Sequence, residues 1–273
     1  MSFMNKWRFF PLTTYTPQEN MAIDEAIFRL KIMKYSSIPN TVRFYRWNPS
    51  SVSIGKNQSL YNEVDVDACK KNNISIVRRI SGGGAVFHMF EGEITYSIIT
   101  DMASIGVSNF QEAYNRILLA LTKGLNKLSL NANQGQINCP ALFINSKKIS
   151  GNAQASSGNI LLQHGTVLIR YNPELMYTVL KARPDKPRTK MIQSVYAYIT
   201  TLEQLGVTTD FPTIVSNLTK GFFEEFSISS KMLIKPEISS KEDSLVKHFI
   251  KSRYDNWDWT ERRFEEKKIP DYN

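Results

Sequence analysis

Apolar and polar positions recur along this chain with two different periods, and the switches between them mark its elements. From Pro17 onwards, Ile23, Ala26, Ile27 and Leu30 fall at helical spacing behind a capping box, Thr16-Pro17-Gln18-Glu19, with proline at the first helical position. The period then drops to two. Residues 41–47 and 51–55 read as strands turning at Asn48-Pro49, which predicts a hairpin. A short helix over 64–71 leads into 74–99, which reads as a strand, a triple-glycine turn, a short strand, a turn at Glu91-Gly92-Glu93 and another strand. Ser108 and Gln111 predict a second capping box, and Phe110, Ala113, Tyr114, Ile117, Leu118, Leu121, Leu125 and Leu128 a core-packing helix. Strand pattern returns at 142–144, at 147–151 after a turn at Asn145-Ser146, and over 160–169, the last broken by Gln163-His164-Gly165-Thr166. Helices are expected over 172–181, 201–205, 213–226 and 239–253, with a charged loop over 183–190. Strands grouped between helices of unequal length predict an α/β fold, with a mixed, largely antiparallel sheet flanked by helices.

Composition narrows the class. At 273 residues and 42% apolar the chain can bury a large core, and no run reaches the ~20 apolar residues of a membrane span. The amino terminus has no small-residue cleavage pattern, and two cysteines, Cys69 and Cys139, make no disulfide framework, so a cytoplasmic protein is expected. Net charge is +9, but the densest basic clusters, 181–190 and 262–268, lack interleaved aromatics, which argues against nucleic acid. Nucleotide phosphates or an acidic protein partner suit the charge better.

The chemistry concentrates at the glycine turn. Gly82, Gly83 and Gly84 let consecutive N–H groups approach an anion, and Arg78 and Arg79, directly upstream, can grip carboxylate or phosphate bidentately. Ala85-Val86-Phe87-His88 follows, so the glycines lie between strands, unlike a P-loop or a dinucleotide fingerprint, which opens a helix. RRISGGGAVFH with GEITYS, then KKISGNAQ (147–154) with LQHGTVLI (162–169), resembles the lipoate–protein ligase family of the biotin and lipoate ligase superfamily. MAIDEAI, VRFYRW into SVSIGKNQ, and KMIQSVYAYITTLEQLG extend the resemblance over about residues 20–206.

That resemblance implies a catalytic domain over 1–254 related in fold to class II aminoacyl-tRNA synthetases. A charged tail over 255–273 and no separate C-terminal accessory domain are expected with it. It implies that ATP with Mg²⁺ converts lipoate or octanoate to an acyl adenylate, which a lysine of a lipoyl-acceptor domain then attacks. The acceptor would be a 2-oxoacid dehydrogenase E2 or a glycine cleavage H protein, and a small accessory subunit is expected for full activity. Lys148 takes the catalytic position, stabilising charge on acyl and phosphate oxygens, while Lys147 faces solvent. Arg79, Ser81, Gly82, Gly83, Gly84, Ala85, Val86, Phe87 and His88 from the first block, and Gly151, Asn152, His164, Gly165 and Thr166 from the second, form the expected substrate and ATP site. Val86, Phe87, Ile80 and Tyr45 are candidates for the apolar slot. His248 is expected at the surface, and no Cys/His cluster has metal-ligand spacing.

Three positions depart from the family: Met89 where aspartate follows VFH, and Pro140 and Ala141 where an Asn-Asp pair stands, with Asn138 a candidate substitute. These departures make adenylation less secure than the acyl-binding fold. The alternative is an ATP-independent octanoyl transferase that draws on acyl carrier protein and uses Cys139, which stands several residues closer to Lys148 than that subfamily's nucleophile. Cys69 falls on a predicted helix. A silent acyl- or RNA-binding module is a third reading, and a biotin ligase matches these segments less well.

Overall fold

The structure, a computed structural model, describes residues 5–33, 38–135, 141–181 and 188–263. In chain order its elements are β1 (Trp7–Tyr15), α1 (Pro17–Met33), β2 (Asn40–Trp47), β3 (Ser51–Ile54), α2 (Leu60–Glu63), α3 (Val66–Lys71), β4 (Ser75–Arg78), β5 (Val86–His88) and β6 (Glu93–Asp101). Then follow α4 (Phe110–Asn126), β7 (Ala132–Gln134), β8 (Ala141–Ile144), β9 (Lys147–Ser157), β10 (Ile160–Leu168), α5 (Pro173–Val179), α6 (Arg188–Tyr198), α7 (Phe211–Glu225), α8 (Ser240–Phe249) and α9 (Trp257–Arg262). One sheet runs β1-β2-β6-β10-β9-β8-β7, antiparallel except for the β1–β2 pair; a smaller one runs β4-β3-β5. This is the expected mixed α/β fold.

Alternation along the strands assigns the two faces of the large sheet. Phe44, Ile98 and Leu161 pack with Ile117, Leu121, Leu218 and Phe222 of α4 and α7, while Tyr45, Trp47, Ile99 and Leu162 pack with Met21, Ile27 and Leu30 of α1. Helix α1 lies beneath α8 as well as the sheet, so its polar side chains are enclosed and must find partners. Asp24 pairs with Arg43, Glu25 with Arg253 and the Tyr254 hydroxyl, and Lys31 with Asp101. The capping boxes at Thr16–Glu19 and Ser239–Glu242 form as read.

Several local expectations are corrected. The strands around Asn48-Pro49 are not a hairpin: β2 joins the large sheet and β3 the small one, where β3 pairs with β4 and β5. Strand β1, unread in the sequence, is an edge strand whose register shifts between Phe10 and Thr13, and Pro11 in that irregularity hides its period. Strand β10 is continuous, because Gln163 and His164 find partners in Tyr96 and Ser81. The N-cap of α4 is Asn109, accepting from Glu112, not Ser108. Residues 201–205 are turns, while 188–198 are helical, anchored by Ile192 and Val195. Packing also continues past 254, where α9 buries Trp259. Among the described residues no helix is long and apolar enough to cross a membrane.

Candidate functional site

Strands β3 and β5 of the small sheet, β6, β9 and β10 of the large one, and α5 enclose a cavity of about 350 Å³. Met21, Tyr45, Trp47, Leu168, Met176, Leu180 and Ile199 give it apolar walls, and a handful of polar groups converge on it. Such a slot fits a chain-like apolar ligand with one reactive polar end.

The two adjacent arginines do different work. Arg78 faces away from the cavity and donates to the carbonyls of Gly55, Lys56, Gln58, Trp259, Thr260 and Glu261. Its expected grip on a ligand anion is therefore corrected: it staples the β3 loop to the C-terminal segment. Arg79 lines the cavity, yet all five of its N–H groups have acceptors within the protein: Ser81 Oγ at 3.1 Å, Ser53 O and Oγ at 3.0 and 3.1 Å, and the carbonyls of Gly82 and Gly84 at 2.7 Å each. Burial pulls its pKa down to about 10. By drawing two glycine carbonyls inwards it shapes the turn. Gly83 has φ +90°, and a Cβ on Gly55 would lie 2.1 Å from the Gly83 oxygen, so the two loops touch backbone to backbone.

Two serine–histidine–carboxylate chains radiate from Arg79. In one, Ser53 Oγ lies 2.8 Å from His88 Nε2, and His88 Nδ1 lies 2.6 Å from Glu93 Oε1. Thr95 donates to Glu93 at 2.8 Å, and Trp47 stacks on the His88 ring at 4.0 Å. In the other, Ser81 Oγ lies 2.6 Å from His164 Nε2, while His164 Nδ1 is 3.6 Å from Asp24 and has no hydrogen-bond partner. Burial holds His164 below the usual histidine range, hence neutral. Burial pushes Asp24 up, but the Arg43 guanidinium and the hydrogen bond from Ser97 hold its carboxyl low, so it stays ionised.

Lys148 sits on β9 with its Nζ over Gly151, where an added Cβ would meet it at 3.1 Å, and no carboxylate pairs with it among the described residues. Lys147 turns to the Tyr196 carbonyl instead. Gly83 to His88, with Gly151, Asn152, His164, Gly165 and Thr166, reach the cavity wall as well. Ser81, which is buried, and Gly82 are not among the wall residues, and of the slot candidates Ile80 packs in the core beneath α1. Residues the sequence reading missed include Ser53, Trp47, Glu93 and Thr95. Ser53 and Trp47 stood in matched segments and Glu93 in the GEITYS block, but nothing in one sequence shows that β3 lies against β5. Cys139, Asn138 and Pro140 lie outside the described residues. Ala141 is a buried strand residue.

Among the described residues, the donors around the cavity do not form a magnesium site. Glu93 is the one carboxylate on the described wall, and it is engaged by His88 and Thr95. Among the described residues no cluster of three His, Cys, Asp or Glu side chains converges.

Comparison with known proteins places this geometry. A structure of the bipartite lipoate protein ligase of Thermoplasma acidophilum, from work on that ligase and its E2 lipoyl domain, matches at TM-score 0.84 and 27% identity over 97% of this chain and all of that one. A lipoate-protein ligase A bound with ATP matches at TM-score 0.79 and 26% identity, over 93% of this chain and 98% of that one. Among curated sequences, the octanoyltransferase LipM of Clostridioides difficile is 32% identical over 95% of this chain and all of its own length. LipM of Brevibacillus brevis is 28% identical over the same shares. These full-length matches overturn the expected ATP-dependent, adenylate-forming ligase, since the curated relatives are octanoyltransferases. A family model described as the lipoyl protein ligase A/B catalytic domain matches residues 16–223, and the chain belongs to that family.

Proposed function

We propose that the chain moves an octanoyl group from the thioester of a carrier protein to a lysine amine of a lipoyl-acceptor domain, without ATP. The full-length similarity to LipM octanoyltransferases carries the reading. The cavity agrees with it: its apolar walls accept an alkyl chain, each buried methylene contributing about 0.8 kcal/mol. Lys148 supplies an ammonium without a described counter-ion, placed to stabilise the oxyanion that forms when the thioester carbonyl is attacked.

A thiol exchanges readily with a thioester and can carry the octanoyl group through a covalent intermediate, and the two cysteines differ. Cys69 is buried among Val52, Ile54 and Leu60, and burial pushes its thiol up to about 12, so it holds no thiolate at neutral pH. Cys139 stands in the sequence two residues before Ala141, which pairs with Gly151 on the cavity wall. In this reading the Cys139 thiolate displaces the carrier thiol, and the acceptor amine then displaces Cys139.

The test is octanoylation of a purified lipoyl domain, followed by intact mass, with octanoyl carrier protein as donor. Wild-type protein should add one octanoyl group. Lys148→Ala should slow transfer on the order of 100-fold, and Cys139→Ser should abolish it. Full transfer by Lys148→Ala would remove the oxyanion role.

A further inference from the structure

We propose that Ser53 is a second acyl acceptor, giving this chain an acyl-thioester hydrolase activity that runs when no amine is present. The inference rests on reading the cavity as an octanoyl-thioester site. It is carried by the hydrogen-bond order around Ser53.

Arg79 donates an N–H to Ser53 Oγ, so the serine's own proton points elsewhere, and His88 Nε2 at 2.8 Å accepts it. The network therefore assigns the other ring proton to Nδ1, which donates to Glu93 at 2.6 Å. Trp47 holds the ring by stacking at 15° to it, and its indole N–H donates to Thr95, which in turn holds Glu93. Hydroxyl, imidazole and carboxylate thus follow the order of an activated serine nucleophile. Ser53, His88 and Glu93 all border the cavity. The second chain lacks these properties: Ser81 is not among the wall residues, His164 Nδ1 has no partner, and Asp24 is already held by Arg43, Tyr45 and Ser97.

The chemistry balances without a cofactor. Ser53 Oγ attacks the thioester carbonyl as its proton passes to His88 Nε2. The C–S bond breaks, the leaving thiolate takes that proton, and an octanoyl ester remains on Ser53. Water then attacks the ester, giving one proton to His88, which returns it to Ser53 Oγ as octanoic acid leaves. Arg79 stabilises the serine alkoxide in both steps through its N–H.

The experiment incubates the full chain with octanoyl-pantetheine and no acceptor, following thiol and octanoate release, with acid-quenched samples mapped by peptide mass spectrometry. An octanoyl adduct on the Ser53 peptide that survives neutral hydroxylamine, which cleaves thioesters, is expected. His88→Gln, which keeps the side-chain volume near that of histidine, should slow hydrolysis roughly 100-fold. Since that variant could misfold, the wild-type protein is also treated with an alkyl fluorophosphonate, which should label Ser53. Release at the buffer rate, or an adduct confined to cysteine with Ser53 unlabelled, overturns the proposal. A parallel sample with lipoyl domain separates the two readings. A Ser53 ester without lysine transfer supports hydrolysis and defeats the proposed transfer, while lysine transfer without any Ser53 adduct does the reverse.

Discussion

The indole N–H of Trp259 donates to the Arg78 carbonyl at 2.9 Å, and the Arg78 guanidinium answers by donating to the Trp259 carbonyl at 3.1 Å. Residues 181 positions apart therefore close a reciprocal clasp, with the loop after β3 held in the same guanidinium. Trp259→Ala would leave a large void and strip Arg78 of its brace. A loss of about 3–5 kcal/mol is expected in denaturant unfolding.

Arg79→Lys replaces a planar five-donor fork with a single ammonium. At least two of the five bonds that shape the turn are lost, a cost on the order of 2–4 kcal/mol where the donor is charged. Octanoyl transfer should fall more than binding of the acyl donor, because the turn that faces the reacting end relaxes. Comparing kcat with KM checks this.

Two glycines separate site from scaffold. A Cβ on Gly221 would stand 2.2 Å from the Ala120 carbonyl oxygen where α7 crosses α4, and one on Gly55 would stand 2.1 Å from the Gly83 oxygen. Gly221→Ala should cost about 1–3 kcal/mol of stability with KM for the acyl donor little changed. Gly55→Ala should raise KM by displacing the turn. Paired melting and kinetic measurements distinguish them.

Burial holds His164 neutral in the folded protein. Below the ordinary value of 6.5 the unfolded chain binds a proton that the folded one refuses, so stability should fall as pH drops through that value. Asp24, held low, loses its contribution only below 3.8. Unfolding between about pH 7.5 and about pH 5.5 should show a slope in the wild-type protein that His164→Gln reduces.

Much of this was legible in the chain. The long apolar stripes of α1, α4 and α7 and the glycine turn carry their own periodicity and punctuation, and the blocks around Lys148 and His164 carry the family. What stayed hidden depends on tertiary neighbours. The hairpin at Asn48-Pro49 reads well locally, but β3 leaves for the small sheet because Ile54 and Val52 have a buried place against β4 and β5. Arg78 and Arg79 carry the same chemistry in sequence; the family resemblance picks Arg79 for the site, but only the packing of the loop after β3 and of α9 shows that Arg78 is a staple. The choice between ligase and transferase was only partly legible: Met89, Pro140 and Ala141 weakened the adenylation reading, but the full-length relatives, not the chain alone, decided against it.

The central claim is tested most directly by mass spectrometry of an apo-lipoyl domain in two parallel reactions, one with octanoyl carrier protein and one with octanoate and Mg·ATP. The account predicts a gain of one octanoyl group on the acceptor lysine in the first and none in the second. Gain only in the nucleotide reaction would contradict it.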